Sequence, residues 1–204
     1  MKAYLRTNGG IGCLLLATTM LLAGCVSDPK KISAINAVNQ AFKVEYDRII
    51  ASEGVHVVAA TPAEAFVSMR VAFATLGLKT EVQDPAIGYL LVTGAAPLPL
   101  SHAEWETSSS ADLPFLRGVI SPHVGVAANF VKFEPQGLDV LLSATFVPAA
   151  NGTEVALTVR LRETAPARSG WPRREYVSPN VTRTGLAAVW RAFDHELLSR
   201  PQPR

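Results

Sequence analysis

Two alternating segments in the second half of the chain constrain its fold most. Residues 137–147 and 153–162 both alternate apolar and polar side chains, the pattern of strands that bury one face. Asn151 and Gly152 lie between them, and this pair favours the tight turn of a β-hairpin. The sequence therefore predicts an antiparallel hairpin with one face in the core and the face that carries Arg160 in solvent.

Helices are predicted where apolar residues recur every three or four positions. A stripe from Ile32 to Ile49 predicts a helix that ends near Ser52, although alternation over 42–50 leaves a strand open as the alternative. Residues 181–199 carry a second stripe, which predicts the final helix. Both helices should bury their stripes against the sheet.

The clearest helix start is the segment 61–64, Thr-Pro-Ala-Glu. Thr61 can accept a hydrogen bond from the first turn, the proline suits the first helical position, and Glu64 completes a capping box. Gly77 predicts the end of this helix, because glycine readily adopts the left-handed conformation of a C-terminal cap. An antiparallel pair of shorter strands should follow over 78–93.

The N-terminal segment has the features of an export signal. Lys2 and Arg6 precede an apolar run of 13 residues, 11–23. As a helix this run would span about 20 Å, which is short of the roughly 30 Å hydrocarbon core of a bilayer. It therefore predicts a cleaved signal and not a membrane-spanning helix.

The leader ends in Leu22, Ala23, Gly24 and Cys25, and this sequence resembles the lipobox of bacterial lipoprotein precursors. The resemblance implies that residues 1–24 are removed as a signal peptide and that Cys25 becomes an N-terminus carrying more than one acyl chain, palmitate among them. An ordinary secretory signal with an incidental cysteine is the alternative. In Gram-negative lipoproteins an aspartate directly after the cysteine usually retains the protein at the inner membrane. Here Val26 follows the cysteine, so the resemblance implies the outer membrane, facing the periplasm.

The remaining elements predict an α+β domain over residues 35–200, after a polar tether at 25–34 and before a tail at 201–204. We expect an antiparallel sheet with two or three helices packed on one face. Residues 95–130 are predicted as an irregular excursion from this sheet. It should contain a short helix that Ser101 caps and that runs through Glu106, and a second helical piece over 112–124 that Pro122 breaks. The order of elements resembles the helix-grip domains of some envelope lipoproteins, such as the C subunit of the outer-membrane β-barrel assembly machinery, and implies a fold of that kind.

Composition excludes several classes of function for the mature chain. Removal of the leader leaves 180 residues, enough for one domain with a substantial core. The leader also contains Lys2 and Arg6, so the mature chain has 17 basic and 17 acidic side chains. This balance of charge disfavours nucleic-acid binding. Cys13 also leaves, and with Cys25 acylated no cysteine remains for a disulfide, a thiolate metal site or a nucleophile.

Sequence patterns for catalysis are missing. The four histidines lack the spacing of a helical zinc site, and the chain has no G-x-S-x-G motif and no phosphate-binding loop in its mature part. We therefore expect no enzyme, metal or cofactor. The side chains that a small hydrolase would have to bring together are His102, Glu104, Ser121 and His123.

Arginine and aromatic residues are concentrated near the end of the predicted hairpin. The segment 160–174 contains five arginines and one acidic residue, Glu163. The candidate contacts for an anion or a partner are Arg168, Trp171, Arg173, Arg174 and Tyr176. Guanidinium groups bind phosphates and carboxylates in a forked geometry and stack on aromatic rings. Lipid head groups, anionic glycan or an acidic protein face would suit them, and the alternative is a solvated face with arginines folded onto Trp171.

These observations predict a lipid-anchored, non-enzymatic interaction or assembly module in the periplasm, with the membrane and an envelope protein as partners. One alternative is a small periplasmic hydrolase or glycan-processing enzyme with a polar cluster in a pocket. Another is a lipid- or peptidoglycan-binding module that uses the arginine and aromatic residues, which a cavity lined by apolar side chains would favour.

Overall fold

The structure, a computed structural model, describes residues 27–199. The predictions for the signal peptide at 1–24, for Cys25 and for the tail at 201–204 lie outside these residues. Among the described residues, the helices are α1 (Asp28–Glu53), α2 (Pro62–Thr75), α3 (His102–Ala111), α4 (Leu113–Val124), a 3₁₀ helix (Gly125–Phe130) and α5 (Pro179–Leu198). The strands are β1 (Val55–Val58), β2 (Lys79–Asp84), β3 (Tyr89–Ala95), β4 (Leu138–Ala149) and β5 (Gly152–Glu163).

The strands form one antiparallel sheet in the order β1-β5-β4-β3-β2, so the α+β prediction is confirmed. β4 and β5 pair along their whole length, from Leu138 opposite Glu163 to Ala149 opposite Gly152. Alternate residues of both strands are buried, whereas Thr158 is exposed. The predicted hairpin is therefore confirmed. Its outer face is less solvated than predicted, because Arg160 is only partly exposed and its guanidinium packs on the rings of Tyr46 and Tyr176.

The helices form a layer over the buried face of the sheet. α2 packs on β2, β3, β4 and β5, and α5 packs on α2. α1 contacts α4 and α5, so the helices also share a core with one another. None of the helices within residues 27–199 combines the length and the apolar character that crossing a membrane requires.

α2 has the caps that its sequence predicts. Thr61 N–H donates to Glu64 Oε2 at 2.8 Å, and Glu64 N–H donates to Thr61 Oγ1 at 3.3 Å. Gly77 has φ +80°, and Leu78 N–H donates to the carbonyl of Phe73 at 3.0 Å. The two ends of α2 are therefore fixed by local interactions.

α1 is helical through the residues where a strand was the alternative. Phe42, Tyr46 and Ile49 are buried, whereas Val44, which alternation would place beside them, is 50% exposed. The helix begins at Asp28, so residues 28–34, which the sequence predicts as a tether, form its first two turns. Spacing by three and four residues thus decides the conformation of this segment.

The stretch 95–130 leaves the sheet as predicted, but it is not irregular, because it contains α3, α4 and the 3₁₀ helix. Pro122 lies inside α4 and does not break it. Ser101 and Glu104 form a second capping box at the start of α3, which continues to Ala111. The indole Nε1 of Trp105 donates to the carbonyl of Phe133 at 3.1 Å and joins α3 to the chain that leads into β4. These helices extend the layer that α1 begins.

Candidate functional site

A groove of about 370 Å³ lies between α1 and α4, and we call it the α1–α4 groove. Its lining residues come from α1, α4, the segment 131–133 and the loop 164–178: Lys31, Ala34, Ile35, Val38, Leu116, Ile120, Val124, Val131, Lys132, Phe133, Trp171 and Arg174. Most of these side chains are apolar. Its volume is in the range of pockets that bind small molecules.

The spacing of apolar residues on the two helices explains the groove. Ile35 and Val38 are three positions apart on α1, and Leu116, Ile120 and Val124 recur every four positions on α4. Residues at these spacings share one face of a helix, so the two apolar faces lie opposite each other. The space between them remains open because no described segment fills it.

The charged residues that line the α1–α4 groove are all cations. Lys31 comes from the first turn of α1, Lys132 precedes β4, and Arg174 belongs to the loop 164–178. No acidic side chain is among the lining residues of this groove in the described chain. Lys31 and Arg174 already have carboxylate partners, Asp28 at 3.8 Å and Glu163 at 2.8 Å, so their charge is partly compensated. The arrangement is an apolar slot with cations around it, which favours an apolar ligand that carries negative charge.

The loop 164–178 is joined to the start of α1 through two of the predicted site residues. The guanidinium of Arg168 lies 4.3 Å from the ring centroid of Trp171. Its Nη2 also donates to Asp28 Oδ2 at 3.0 Å. Arg168 and Trp171 therefore lie together beside the first residue of α1, and Trp171 lines the groove.

Arg173 and Arg174 both bind groups at the end of β5. Arg173 donates to the carbonyls of Glu163 and Ala165, at 3.3 and 3.2 Å. Arg174 Nε donates to Glu163 Oε1 at 2.8 Å, while its side chain lines the groove. Arg173 thus stabilises the loop, whereas Arg174 combines an internal ion pair with a place at the groove.

Tyr176 is part of a buried aromatic contact beneath the loop. Its ring packs on that of Tyr46, with 5.4 Å between centroids, and the Arg160 guanidinium lies 4.2 and 4.4 Å from the two rings. Burial raises the pKa of Tyr46, and the nearby charge of Arg160 opposes part of that rise. Among the predicted site residues, Tyr176 is therefore placed in the core and not at the groove.

A second cavity of about 380 Å³ adjoins the first and differs from it in chemistry. His102, Glu106 and Glu134 contribute polar groups to it, and Lys132 and Phe133 line both cavities. The residues 132–133 therefore form the partition between an apolar groove and a polar cavity.

The four side chains that a hydrolase would have to bring together lie in different surroundings. His102 lines the second cavity. Glu104 caps α3, and its hydrogen bonds from the backbone and side chain of Ser101 lower its pKa. Ser121 is exposed on α4, and His123 Nδ1 lies 2.9 Å from Ser33 Oγ of α1. No described contact joins them into one cluster.

Within residues 27–199, no group of three or more His, Cys, Asp or Glu side chains is arranged to hold a metal ion. Comparison of the chain with protein-family models, with curated proteins and with solved structures finds no match. The functional argument therefore depends on the groove. The spacing of Leu116, Ile120 and Val124 was the sequence signal for it, but the helical piece predicted over 112–124 does not indicate which residues will face α1.

Proposed function

We propose that this protein is a lipid-anchored, non-enzymatic module of the bacterial envelope, whose α1–α4 groove binds an apolar segment of a partner protein. The acylated Cys25 attaches it to the outer membrane, where the domain faces the periplasm. The observation that carries the proposal is the apolar groove with Lys31, Lys132 and Arg174 around it. An amphipathic segment with acidic residues beside its apolar face complements this chemistry.

Attachment to the membrane supports weak recognition by the groove. Cys25 precedes the first residue of α1 by three positions, so the anchor and the groove lie close along the chain. Confinement near a surface raises the effective concentration of a partner held at the same membrane. A groove of modest size is then sufficient for a functional contact.

Acylation is tested by intact-mass analysis of the protein isolated from bacterial membranes. We expect a mature chain that begins at Cys25 and carries the added mass of acyl chains. Cys25→Ala should abolish both the acyl mass and the processing, because the thiol is the site of attachment. Cys13→Ala is the matched control within the leader and should leave the mature mass unchanged. An unmodified thiol at Cys25 in the wild-type protein contradicts the anchor.

The groove is tested by photocrosslinking in cells from a reactive side chain placed at Ile35. The control position is Ile87, an exposed apolar residue in the turn between β2 and β3. We expect adducts at Ile35 alone, and mass spectrometry should identify a partner peptide with apolar residues flanked by acidic ones. Equal adducts at both positions, or none at Ile35, overturn the proposal.

Charge reversal sharpens this test. The double variant Lys31→Glu with Lys132→Glu should lower the yield of adduct from Ile35 about fivefold, because it repels an acidic partner. Lys79→Glu, an exposed site on β2, is the matched control and should leave the yield unchanged. A yield that does not respond to the double variant contradicts an acidic partner.

The same groove supports a second candidate, a site for a phospholipid or another acylated anion. Its mostly apolar lining is the feature that favours a lipid-binding module, one of the alternatives predicted from the sequence. The apolar lining would hold an acyl chain, and the cations would lie near its head group. Native mass spectrometry should then show a lipid that is bound without a covalent bond and lost when Val38→Trp fills the groove. Its absence, together with adducts from Ile35, favours the protein partner.

A further inference from the structure

The 3₁₀ helix after α4 exposes two large apolar side chains. Val126 is 81% exposed and Phe130 is 85% exposed, more than most other large apolar residues of the described chain. Scattered exposed apolar residues are common on soluble proteins, but these two lie four positions apart within one six-residue 3₁₀ helix. We call Val126 and Phe130 the apolar tip.

Contacts place the apolar tip beside the first turns of α1. His123, two residues before the 3₁₀ helix, contacts Ser33 of α1. Val124 and Val131, which flank the 3₁₀ helix, line the α1–α4 groove together with Lys31 and Trp171. The tip therefore belongs to the end of the molecule where α1 begins.

The N-terminal anchor emerges at this same end. Cys25 is three residues before Asp28, and three extended residues span at most about 10 Å. Acyl chains on Cys25 would therefore hold the start of α1 within reach of the lipid head groups. A surface beside that point lies next to the bilayer without any need for a long linker.

The charge around the apolar tip complements an anionic membrane surface. Lys30 and Lys31 lie in the first turn of α1, Lys132 lies just after the 3₁₀ helix, and Arg168 lies in the loop 164–178. The acidic groups on those segments are Asp28, Glu134 and Glu175, and Asp28 is already bonded to Arg168 and within 3.8 Å of Lys31. Cations beside exposed apolar and aromatic side chains are the composition of surfaces that lie in a membrane interface.

We infer that the apolar tip is a membrane-contacting element, which inserts Val126 and Phe130 into the head-group region of an anionic phospholipid bilayer. The inference rests on the proposed acylation of Cys25 and adds to it the face by which the domain meets the membrane. The tip and the acyl chains then fix the orientation of the domain by two contacts, and the mouth of the α1–α4 groove stays close to the lipid.

The test uses the full lipoprotein, reconstituted in vesicles of phosphatidylethanolamine and phosphatidylglycerol, with a spin label at V126C. Once Cys25 is acylated the mature chain has no other cysteine, so the label is confined to the chosen site. The spin label collides more often with oxygen when it is in the bilayer than when it is in water, and it collides less often with a polar nickel chelate. Their ratio therefore reports whether the label is in lipid or in water.

The control label is at I87C, because Ile87 is also an exposed apolar residue, with 72% of its surface accessible. It lies before β3, whose first residue, Tyr89, pairs with Thr145 near the end of β4. The start of β4, at Leu138, pairs with Glu163 next to the loop that contacts α1. Ile87 is therefore at the opposite end of the sheet from the apolar tip.

We expect the oxygen-to-nickel collision ratio at V126C to exceed that at I87C about threefold or more. F130D should reduce this difference, and vesicles of phosphatidylcholine alone should also reduce it, because they lack the anionic head groups. Equal ratios at V126C and I87C overturn the inference.

Failure of the anchor and failure of the tip give different results. Intact mass is measured on the same sample: an acylated protein with a water-exposed V126C label overturns the tip and leaves the anchor intact, whereas an unacylated protein overturns both. Protection of V126C in intact cells but not in vesicles identifies a protein as its cover, which also contradicts the membrane contact.

Discussion

The β4–β5 hairpin and the segment 101–130 differ in how completely they bury their apolar side chains. Each residue of β4 has a partner in β5, and the inward positions such as Leu157 and Val155 are fully buried. The segment 101–130 instead lines both cavities and exposes Phe130 to solvent. The hairpin is therefore the more completely packed region, and the helical segment leaves two cavities and Phe130 uncovered.

Glycine substitutions should give the largest difference between the two regions in the free energy of unfolding. Gly152 has φ +133°, and a Cβ there would lie 2.0 Å from the carbonyl oxygen of Val58 on the neighbouring strand. We expect Gly152→Ala to lower the free energy of unfolding by about 3 kcal/mol or more, because backbone would have to shift. Chemical denaturation monitored by circular dichroism measures this loss.

The matched control is Gly118→Ala in α4, where a Cβ would meet nothing within 4 Å. This variant should raise the free energy of unfolding by roughly 0.5–1 kcal/mol, since alanine restricts the unfolded chain and favours a helix. Similar losses from both variants would contradict the distinction between a close-packed hairpin and a less constrained helical segment.

Asp112 tests how the helical segment is held to the rest of the molecule. Its buried carboxylate accepts from the backbone N–H and the side-chain Nδ2 of Asn180, at 2.9 and 2.8 Å, at the start of α5. Asp112→Ala should cost about 1–3 kcal/mol, because two donors at the start of α5 lose their acceptor. Hydrogen exchange should become faster in α3 and in the first turn of α5 while β4 and β5 keep their protection.

Asp112→Asn is the conservative control for this prediction. It keeps one acceptor oxygen, so its loss should be smaller than that of the alanine variant. If exchange accelerates equally in β5, the helical segment and the hairpin unfold as one unit, and the comparison between them does not extend to their local stability.

The difference between the two regions also explains what the sequence could predict. Alternation over 137–162 and the pair Asn151 and Gly152 identify the hairpin, because the apolar side chains at every second position enter the core. Thr61 and Gly77 identify the ends of α2 for a similar reason, since both act through neighbouring residues. Local patterns were sufficient wherever local interactions determine the structure.

In the helical segment the sequence signal is incomplete. The buried side of α3 carries Ser108 and Ser109, so it lacks the apolar periodicity of a helix, although Ser101 predicts its start. The groove depends on α4 lying opposite α1, which no local pattern encodes. The concentration of arginine and aromatic residues identified Arg168 and Trp171 as candidate contacts for an anion or a partner, and the two side chains do lie together. It could not show that Arg173 binds the carbonyls of Glu163 and Ala165.

Tyr46 provides a pH-dependent test at the edge of the hairpin. Its hydroxyl accepts from Val159 N–H at 3.4 Å, so Tyr46→Phe should cost about 0.5–1 kcal/mol at neutral pH. Burial raises the pKa of Tyr46 above its usual value of 10.0, so the folded protein keeps a proton that the unfolded chain loses. Stability should therefore fall as the pH rises above 10, and denaturation curves of Tyr46→Phe should show a smaller fall. Identical pH profiles would contradict the burial of this hydroxyl.

The smallest effect concerns the cap of α3 within the helical segment. Hydrogen bonds from Ser101 lower the pKa of Glu104 below its usual value of 4.5, so the folded state favours the ionised carboxylate. The contribution of this cap is complete above that usual value and is lost as the pH falls through the lower pKa of the folded protein. Glu104→Gln removes the titrating group, so hydrogen exchange in the first turn of α3 should depend less on acid than in the wild-type protein, after correction for the intrinsic exchange rate. Because the carboxylate is exposed to solvent, the change should be confined to α3 and leave the protection of β5 unaltered. An acid-induced loss of protection in β5 that disappears with Glu104→Gln would instead show that the cap supports the hairpin, and the two regions would then share their stability.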